Sequence, residues 1–504
     1  METGLSYDQI EVVPQSRKKQ NDRLSPAHFA LISDSPNVKT FAEKGRGAHQ
    51  LLDSRSAPVA HSIASKKSES MLRRYFYDTL ASYLSLYIRP EDQVVEIEPR
   101  SKGLGERFAN YQAVSSVAAL KIEPRPADYI LLNGTIHYER DIQEMLNQLR
   151  DCLEGSERIL FVYYSMLWKP LTRLASKVGM RSRTPEQNWI AHEDLENFCY
   201  LTGLEIIRRD VKLLCPIPVP FLANLLNRYL APLPFFRLFT MLNVVIARPM
   251  KSIGQQRPSV SVIVPARNES GNINNILVRC PMMGPQDEII FVEGNSTDDT
   301  WERIQQVARG YKGSHRLVLA QQKGRGKGDA VRLGFELATR DILMILDADL
   351  TTPPEELPKF YNAIARNRAE FVNGSRLVYP MEKEAMRFFN IVANKFFAAA
   401  FSFVLGQRFK DTLCGTKVLW RAHYKRLAAA REFFGDFDPF GDFDLLFGAA
   451  RMGLKIVEVP VHYHERRYGT TNIQRWRHGL ILLRMLLFAA RRLKFLGHET
   501  LHAR

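Results

Sequence analysis

Disulfides, thiolate metal clusters and membrane spans are all missing from what this sequence offers. Its 504 residues include only five cysteines, Cys152, Cys199, Cys215, Cys280 and Cys414, with no paired spacing. That excludes a disulfide framework or a zinc site and suits a reducing compartment. No stretch supplies the ~18–20 uncharged apolar residues that a spanning helix needs. The nearest approach, Gly479 to Ala490, is short and interrupted by Arg484. The first residues lack the charged-then-apolar pattern of a secretory signal, so a cytoplasmic location is expected. No internal repeat is visible, which excludes a solenoid.

What the sequence does have is apolar mass and positive charge. At 45% hydrophobic residues the chain can bury more than one core, and two or three domains are expected. Lysine and arginine number 70 against 54 acids, a formal charge of +16. Such a surplus favours nucleotides or acidic lipid surfaces. The charge is spread, without aromatic–basic interleaving, so nucleic acid is not an expected partner.

Residues 1–67, rich in Ser, Lys, Arg and Pro, read as a disordered basic arm. From 68 to 250 the pattern is globular. It predicts a helix over Met71 to Tyr87 and strands at Gln93 to Glu98, Asp128 to Leu132 and Arg158 to Tyr163. A helix over Ile142 to Leu153 lies between, and Tyr200 to Asp210 and Met241 to Ala247 close the series. Strands alternating with helices imply an α/β fold with a parallel sheet. The apolar, proline-punctuated stretch Cys215 to Phe239 suits either the cap of a pocket or contact with a membrane. Met250 to Arg257 is a polar linker. A second α/β series fills 258–475, and 476–504 forms a basic amphipathic helix and tail.

In the second series four features follow in order. The strand Val260 to Val264 empties into Pro265-Ala266-Arg267-Asn268-Glu269, where open α/β sheets bind ligands. The strand Glu288 to Val292 ends at Glu293, an acid placed to hydrogen-bond a base or ribose, while Asp298 reads as a helix cap. Lys323-Gly-Arg-Gly-Lys-Gly328 precedes a helix; its glycines admit an anion to the backbone, and Arg325 and Lys327 add charge. The apolar strand Ile342 to Leu346 ends in Asp347-Ala348-Asp349. Two carboxylates two positions apart can converge on one hard divalent cation and leave places for diphosphate oxygens.

These pieces, with Gly374-Ser375-Arg376, Asp411 to Lys417 and Val457 to Ile473, resemble the family-2 glycosyltransferases with the GT-A fold, nearest to the dolichyl-phosphate mannose synthase-like branch. The resemblance implies metal-dependent, inverting transfer from a nucleotide-sugar donor to a lipid-linked or polysaccharide-precursor acceptor. Carried over by position, Pro265, Asn268, Glu269 and Glu293 would line the nucleoside pocket, with Arg325 and Lys327 beside the phosphates. Asp347 and Asp349 would hold Mg²⁺ or Mn²⁺, Arg376 would meet the acceptor or a donor phosphate, and Arg466 would sit in a closing loop. Thr351 stands where those synthases often place a Gln ligand, and Asn472 where a Lys is common.

The earlier series, 68–250, resembles class I S-adenosylmethionine-dependent methyltransferases, through Val94 to Glu98, Ala127 to His137 and Leu149 to Gly155. Together the two resemblances imply a pair of Rossmann-like domains. Where such enzymes carry a Gly-rich turn, this chain has Glu98-Pro99-Arg100-Ser101-Lys102, and no ribose-binding acid stands near Leu120 to Ile122. A structural remnant without S-adenosylmethionine is therefore expected. A working methyltransferase, giving a bifunctional enzyme, and a non-catalytic nucleotide-binding scaffold are the alternatives.

A hydroxyl acceptor would need a carboxylate base, for which Asp442 and Asp444 are the candidates; helix capping is their other role. A lipid phosphate is already ionised and needs none. Over Ile473 to Lys494, Arg477, Arg484 and Arg491 share one helical side, with Leu480, Leu483, Leu486, Leu487 and Ala490 on the other. Such a helix either lies in an anionic membrane surface, making the protein peripheral on the inner face, or packs on the protein's own core.

Overall fold

The computed structural model describes residues 10–12, 71–101, 103–122, 126–179, 186–250, 257–380, 388–431, 443–466, 468 and 475–495. The expected α/β class holds, with two sheets that are mainly parallel.

The smaller sheet comprises β2 (Val94–Ile97), β3 (Tyr111–Val114), β4 (Tyr129–Asn133), β5 (Arg158–Tyr164), β6 (Leu204–Lys212) and β7 (Leu242–Pro249). Its order is β3-β2-β4-β5-β7-β6, and β7 runs antiparallel to both neighbours. Alternate side chains face opposite ways along a strand. Thus Val95 and Ile97 join one apolar layer and Val94 the other. Two sequence expectations change here. Tyr200 belongs to the helix His192–Leu201, and the strand begins at Leu204. Leu120 to Ile122 lies in the helix Val117–Ile122; the second strand is Tyr111–Val114, an edge strand too polar to stand out.

The larger sheet comprises β1 (Ile10–Val12), β8 (Val260–Ala266), β9 (Glu288–Glu293), β10 (Arg316–Gln321), β11 (Ile342–Ile345), β12 (Phe371–Ser375), β13 (Lys417–Trp420) and β14 (Ile456–Pro460). Its order is β1-β10-β9-β8-β11-β13-β12-β14. From β1 to β11 the pairs are parallel, and β13 is antiparallel to β11 and β12. β8, β9 and β11 are apolar and buried on both faces, as a sheet covered on each side requires. The expectation of an unstructured arm over 1–67 fails at Ile10–Val12. These residues extend the edge beside β10, and Glu11 pairs with Arg316 at 2.5 Å. A short β-branched run finds its ladder only in a partner some 300 residues away, which local composition cannot reveal.

Buried ion pairs join the sheets. Arg158 of β5 meets Glu370 at 2.7 Å and donates to the Gly453 carbonyl at 2.8 Å. Arg248 of β7 reaches the Asn367 carbonyl at 2.8 Å and Glu370 at 3.5 Å. Burial disfavours the Glu370 charge, yet Arg158 and Arg248 outweigh it and hold its carboxyl below the ordinary value.

The C-terminal helix, Arg475–Leu493, settles against the core helix Phe388–Leu405 through Leu482, Met485, Ala489 and Leu493. Leu480, Leu483 and Leu487 of the expected apolar side are exposed. Both stripes are apolar, so periodicity alone could not say which one meets the core. No helix among the described residues is long and apolar enough to cross a membrane.

Candidate active site

The order β10-β9-β8-β11 sets four parallel strands side by side, and Asn268, Glu269, Glu293, Lys327, Asp347 and Asp349 lie at or just after their carboxyl ends. Ala266 is in register with Glu293, and Glu293 with Gln321, just before the glycine–lysine loop. Ile345 lies opposite Ile263, so Asp347 emerges beside Pro265. Asn268, Asn295 and Leu350, in the turns that leave β8, β9 and β11, have positive φ near 56–57°. Non-glycine residues held in that region are uncommon and cluster at functional sites.

After β8, Pro265 is partly buried and the Asn268 Oδ1 accepts from the Thr297 amide at 2.8 Å. Glu269 is buried; its Oε2 accepts from Asn272 Nδ2 at 2.8 Å and its Oε1 lies 3.0 Å from Arg466. Burial pushes its carboxyl up to about 7, although Arg466 and Asn272 oppose the rise. Glu293 is buried too, accepting from the Ser296 amide at 2.5 Å and from Gln321 Nε2 at 3.0 Å.

The helix Lys327–Leu337 starts three residues earlier than its apolar pattern suggests, with Gly326 at φ +91° turning the chain into it. Lys327 is thereby fixed at the first turn, and its Nζ lies 2.6 Å from Asp347 Oδ1. Arg325 stays exposed in the preceding loop. Burial opposes the Asp347 charge, but Lys327, with Lys417 and Arg376 farther off, holds the carboxyl below its ordinary value. Asp349 accepts from the Thr351 amide at 3.1 Å and hydroxyl at 2.8 Å, and its Oδ2 lies 3.0 Å from Arg466. Arg466 thus spans Glu269 and Asp349. Its segment is tied down by the Val461 amide on the Ser375 carbonyl and the His464 amide on the Thr351 carbonyl, both 3.0 Å.

Arg376, expected to meet the acceptor or a donor phosphate, is held on an acid. Its Nε and Nη2 form a fork on Asp411 at 2.7 and 2.9 Å, and Asn394 supports the same carboxylate at 3.0 Å. Arg376 and Asn394 outweigh the effect of burial and hold Asp411 down at about 2. Around this fork the hydroxyls of Ser375, Thr412 and Thr416 are buried with no partner among the described residues. Asp444 sits in the first turn of the helix Phe443–Arg451, accepting from the Leu445 amide at 3.2 Å and 4.0 Å from Arg431. Inside the first turn, its charge lies at the helix N-terminus. Asp442 and Asn472 lie outside the described residues.

Sequence reasoning gave no role to Asp411, Gly415 or Lys417. A Cβ at Gly415 would fall 2.0 Å from Asp347 Oδ2 and 2.5 Å from Lys327 Nζ, so only glycine lets that loop back the carboxylate. Lys417 is fully buried and donates to the Cys414 carbonyl at 2.6 Å. The signal for them was contact across distant segments, which a single sequence does not carry. Among the described residues no group of three or more His, Cys, Asp or Glu side chains could hold a metal ion by itself.

In the smaller sheet the turn after β2 is filled by the protein. Glu98 has φ 51°, and Arg100 lies over the Tyr138 ring at 4.2 Å. A Cβ at Gly103 would strike Tyr77 at 2.8 Å, and one at Gly105 would strike Tyr111 at 2.7 Å. At Gly103 and Gly105 the backbone is therefore covered by tyrosine rings of the protein itself.

Residues 261–428 match the sequence model of the family described as Glycosyl transferase family 2. That stretch, about a third of the chain, is thus similar to this family. It is 35% identical over 138 residues to a dolichol-phosphate mannosyltransferase of Pyrococcus furiosus, covering 27% of this chain and 38% of that one. It is 26% identical over 214 residues to an undecaprenyl-phosphate 4-deoxy-4-formamido-L-arabinose transferase of an Enterobacter species, covering 42% and 61%. The chain therefore spans less than two thirds of either relative. Among solved structures, glucosyl-3-phosphoglycerate synthase from Mycobacterium tuberculosis with Mn²⁺ and UDP aligns over 47% of this chain and 81% of that one. The identity is 21% and the TM-score 0.35.

Proposed function

We propose that this protein is a metal-dependent glycosyltransferase that moves a sugar from a nucleotide-diphospho-sugar to a lipid-linked phosphate. The observation that carries the reading is the pairing of Asp347 with Lys327 and of Asp349 with Arg466 just after the carboxyl end of the parallel strand β11. Two carboxylates held by cations from separate segments make a cluster of alternating charge suited to a metal–diphosphate ligand. With two protein carboxylates in the cluster among the described residues, the donor's own oxygens would complete the coordination.

A divalent cation between Asp347 and Asp349 would offset charge on the departing nucleoside diphosphate. Around it, Pro265, Asn268, Glu269 and Glu293 line the nucleoside side, and Arg325 and Lys327 face the phosphates. Arg466 closes the site from above. Arg376 acts as a positioning residue through its fork on Asp411, and the unpartnered hydroxyls of Ser375, Thr412 and Thr416 mark a polar recess for the acceptor. A phosphate acceptor arrives ionised, so Asp442 and Asp444 are not required as bases; a glycan hydroxyl would call on one of them. Transfer by single displacement inverts the anomeric carbon.

Residues 258–475 form the transferase unit, 68–250 a methyltransferase-like scaffold without cofactor, and 476–504 its C-terminal extension. A lipid acceptor places the protein at the cytoplasmic face of a membrane as a peripheral partner. The test is a panel of UDP-, GDP- and dTDP-sugars with Mn²⁺, followed by thermal shift and by transfer to polyprenyl phosphate. One base should raise the midpoint only with metal present. No shift and no transfer with any donor would overturn the reading in favour of a non-catalytic scaffold.

A further inference from the structure

The connection between β6 and β7 exposes an uncommon density of large apolar side chains. Phe221 is 94% exposed, Phe235 67% and Leu238 61%, and Leu222, Leu225 and Phe239 are about half exposed. These side chains are not left out by a loose loop. Buried Asn227 ties the segment together: its Oδ1 accepts from the Leu214 and Cys215 amides, both at 2.8 Å. Its Nδ2 donates to the Cys215 carbonyl at 2.7 Å and to the Tyr75 hydroxyl at 2.9 Å. Tyr83 donates to the Asn227 carbonyl at 2.9 Å. Trp168 Nε1 donates to the Phe239 carbonyl at 2.9 Å, which brings exposed Met166 and Leu167 alongside. A rigid backbone therefore holds apolar groups outward. Soluble proteins rarely keep so many together without a partner.

Beside this segment lies a cleft of about 320 Å³, lined by Arg209, Arg237, Arg408 and Lys494, with Pro232 from the segment itself. Its acid, Asp210, is already satisfied by Arg208 at 2.7 Å and Lys494 at 2.6 Å. The Nε of Arg209 is buried with no partner among the described residues. The lining of the cleft thus carries four cations against the one acid, Asp210, and apolar side chains border it. Positive charge next to protruding phenylalanines and leucines complements one surface in particular, an anionic bilayer, whose phosphates lie just above its acyl chains.

We propose that the 213–240 segment docks this protein on an anionic phospholipid membrane. Phe221, Leu222, Leu225, Phe235 and Leu238 enter the boundary between headgroups and acyl chains, and the Arg209–Arg237–Arg408 cleft takes a lipid phosphate. This deepens the peripheral-membrane reading and rests on it, but it assigns the contact to the smaller sheet rather than to the C-terminal helix.

The test is flotation of the full chain with vesicles of phosphatidylcholine alone or mixed with phosphatidylglycerol. Three variants are compared with the wild type: Phe221→Ser with Phe235→Ser, Arg209→Gln with Arg237→Gln, and Leu480→Ser with Leu487→Ser. Wild type should float strongly with the mixed vesicles and weakly with phosphatidylcholine alone. The phenylalanine pair should lose binding to both vesicle types, and the arginine pair should lose about tenfold or more, only on the anionic ones. The leucine pair should float as wild type does. All variants should keep the metal-dependent donor shift. If wild type floats and only the leucine pair fails, the C-terminal helix is the anchor and this proposal is overturned while the membrane reading stands. If wild type never floats, the membrane reading fails with it. A wild-type dimer in light scattering that the phenylalanine pair converts to monomer would make the patch a chain–chain interface and overturn the proposal as well.

Discussion

The turn after β2 and the turn after β11 occupy equivalent places, each at the carboxyl end of a parallel strand within an α/β sheet, and each begins with acids. The last acid within β2, Glu96, is turned inward, and Glu98 after it, 33% exposed, pairs with its near neighbour Arg100 at 3.8 Å. Glu96 is fully buried, accepting from the Tyr111 hydroxyl at 2.6 Å and Asn133 at 3.2 Å, and Arg100 is laid over Tyr138. After β11 the acids are left partly open, with Asp347 28% and Asp349 20% exposed, each balanced by a cation from another segment. An α/β sheet supplies the place for a ligand, and the side chains that follow the strand decide whether the place is kept or filled.

The sharpest way to break this comparison is to neutralise one acid on each side. Asp349→Asn should lower transfer on the order of 10²–10³-fold through lost electrostatic stabilisation. Glu98→Gln should leave transfer unchanged. Equal losses, measured as kcat/KM with a fixed donor, would mean that the two turns do not differ in the way described.

The seam between the sheets is next. Glu370→Ala leaves Arg158 and Arg248 buried without their acid and should cost roughly 3–5 kcal/mol, read from denaturant unfolding. The pH dependence follows. The Glu370 carboxyl sits below its ordinary value in the folded chain, so its contribution is complete above the unfolded value of 4.5. It is lost as pH falls through the lower folded value. Wild type should therefore lose more stability than Glu370→Ala below pH 4.5; parallel curves would show that the pair contributes nothing.

Gly415→Ala tests how closely the larger site is built. The added methyl must displace Asp347, so activity should fall by about 10²-fold with little change in melting, since small misplacements of reacting groups are costly. An active variant would mean that Asp347 tolerates movement. The smallest effect belongs to the closed turn: Arg100→Ala should change transfer within twofold, and neither it nor wild type should show a thermal shift with S-adenosylmethionine. A shift in wild type would reopen that turn as a binding site.

The open turn was legible in the sequence because its signals are local. An apolar strand followed by Asp347-Ala348-Asp349, or a glycine–lysine run before a helix, carries its meaning within a few residues. What stayed hidden depends on partners far along the chain. Ile10–Val12 needs β10 to become a strand, and Arg376 needs Asp411, 35 residues on, to become a fork. Tyr111–Val114 lies at a sheet edge, where half-exposed positions dilute the alternating pattern. In the C-terminal helix two apolar stripes compete, and the choice of Leu482, Met485 and Ala489 for the core was made by the helix it packs on.

Electron paramagnetic resonance of Mn²⁺ reaches the central claim most directly. With the preferred nucleotide sugar present, wild-type protein should remove the free-ion signal, and the double variant Asp347→Asn, Asp349→Asn should leave it at the level of ion and nucleotide alone. A double variant that still captures Mn²⁺ as wild type does would contradict the assignment of the metal to that pair.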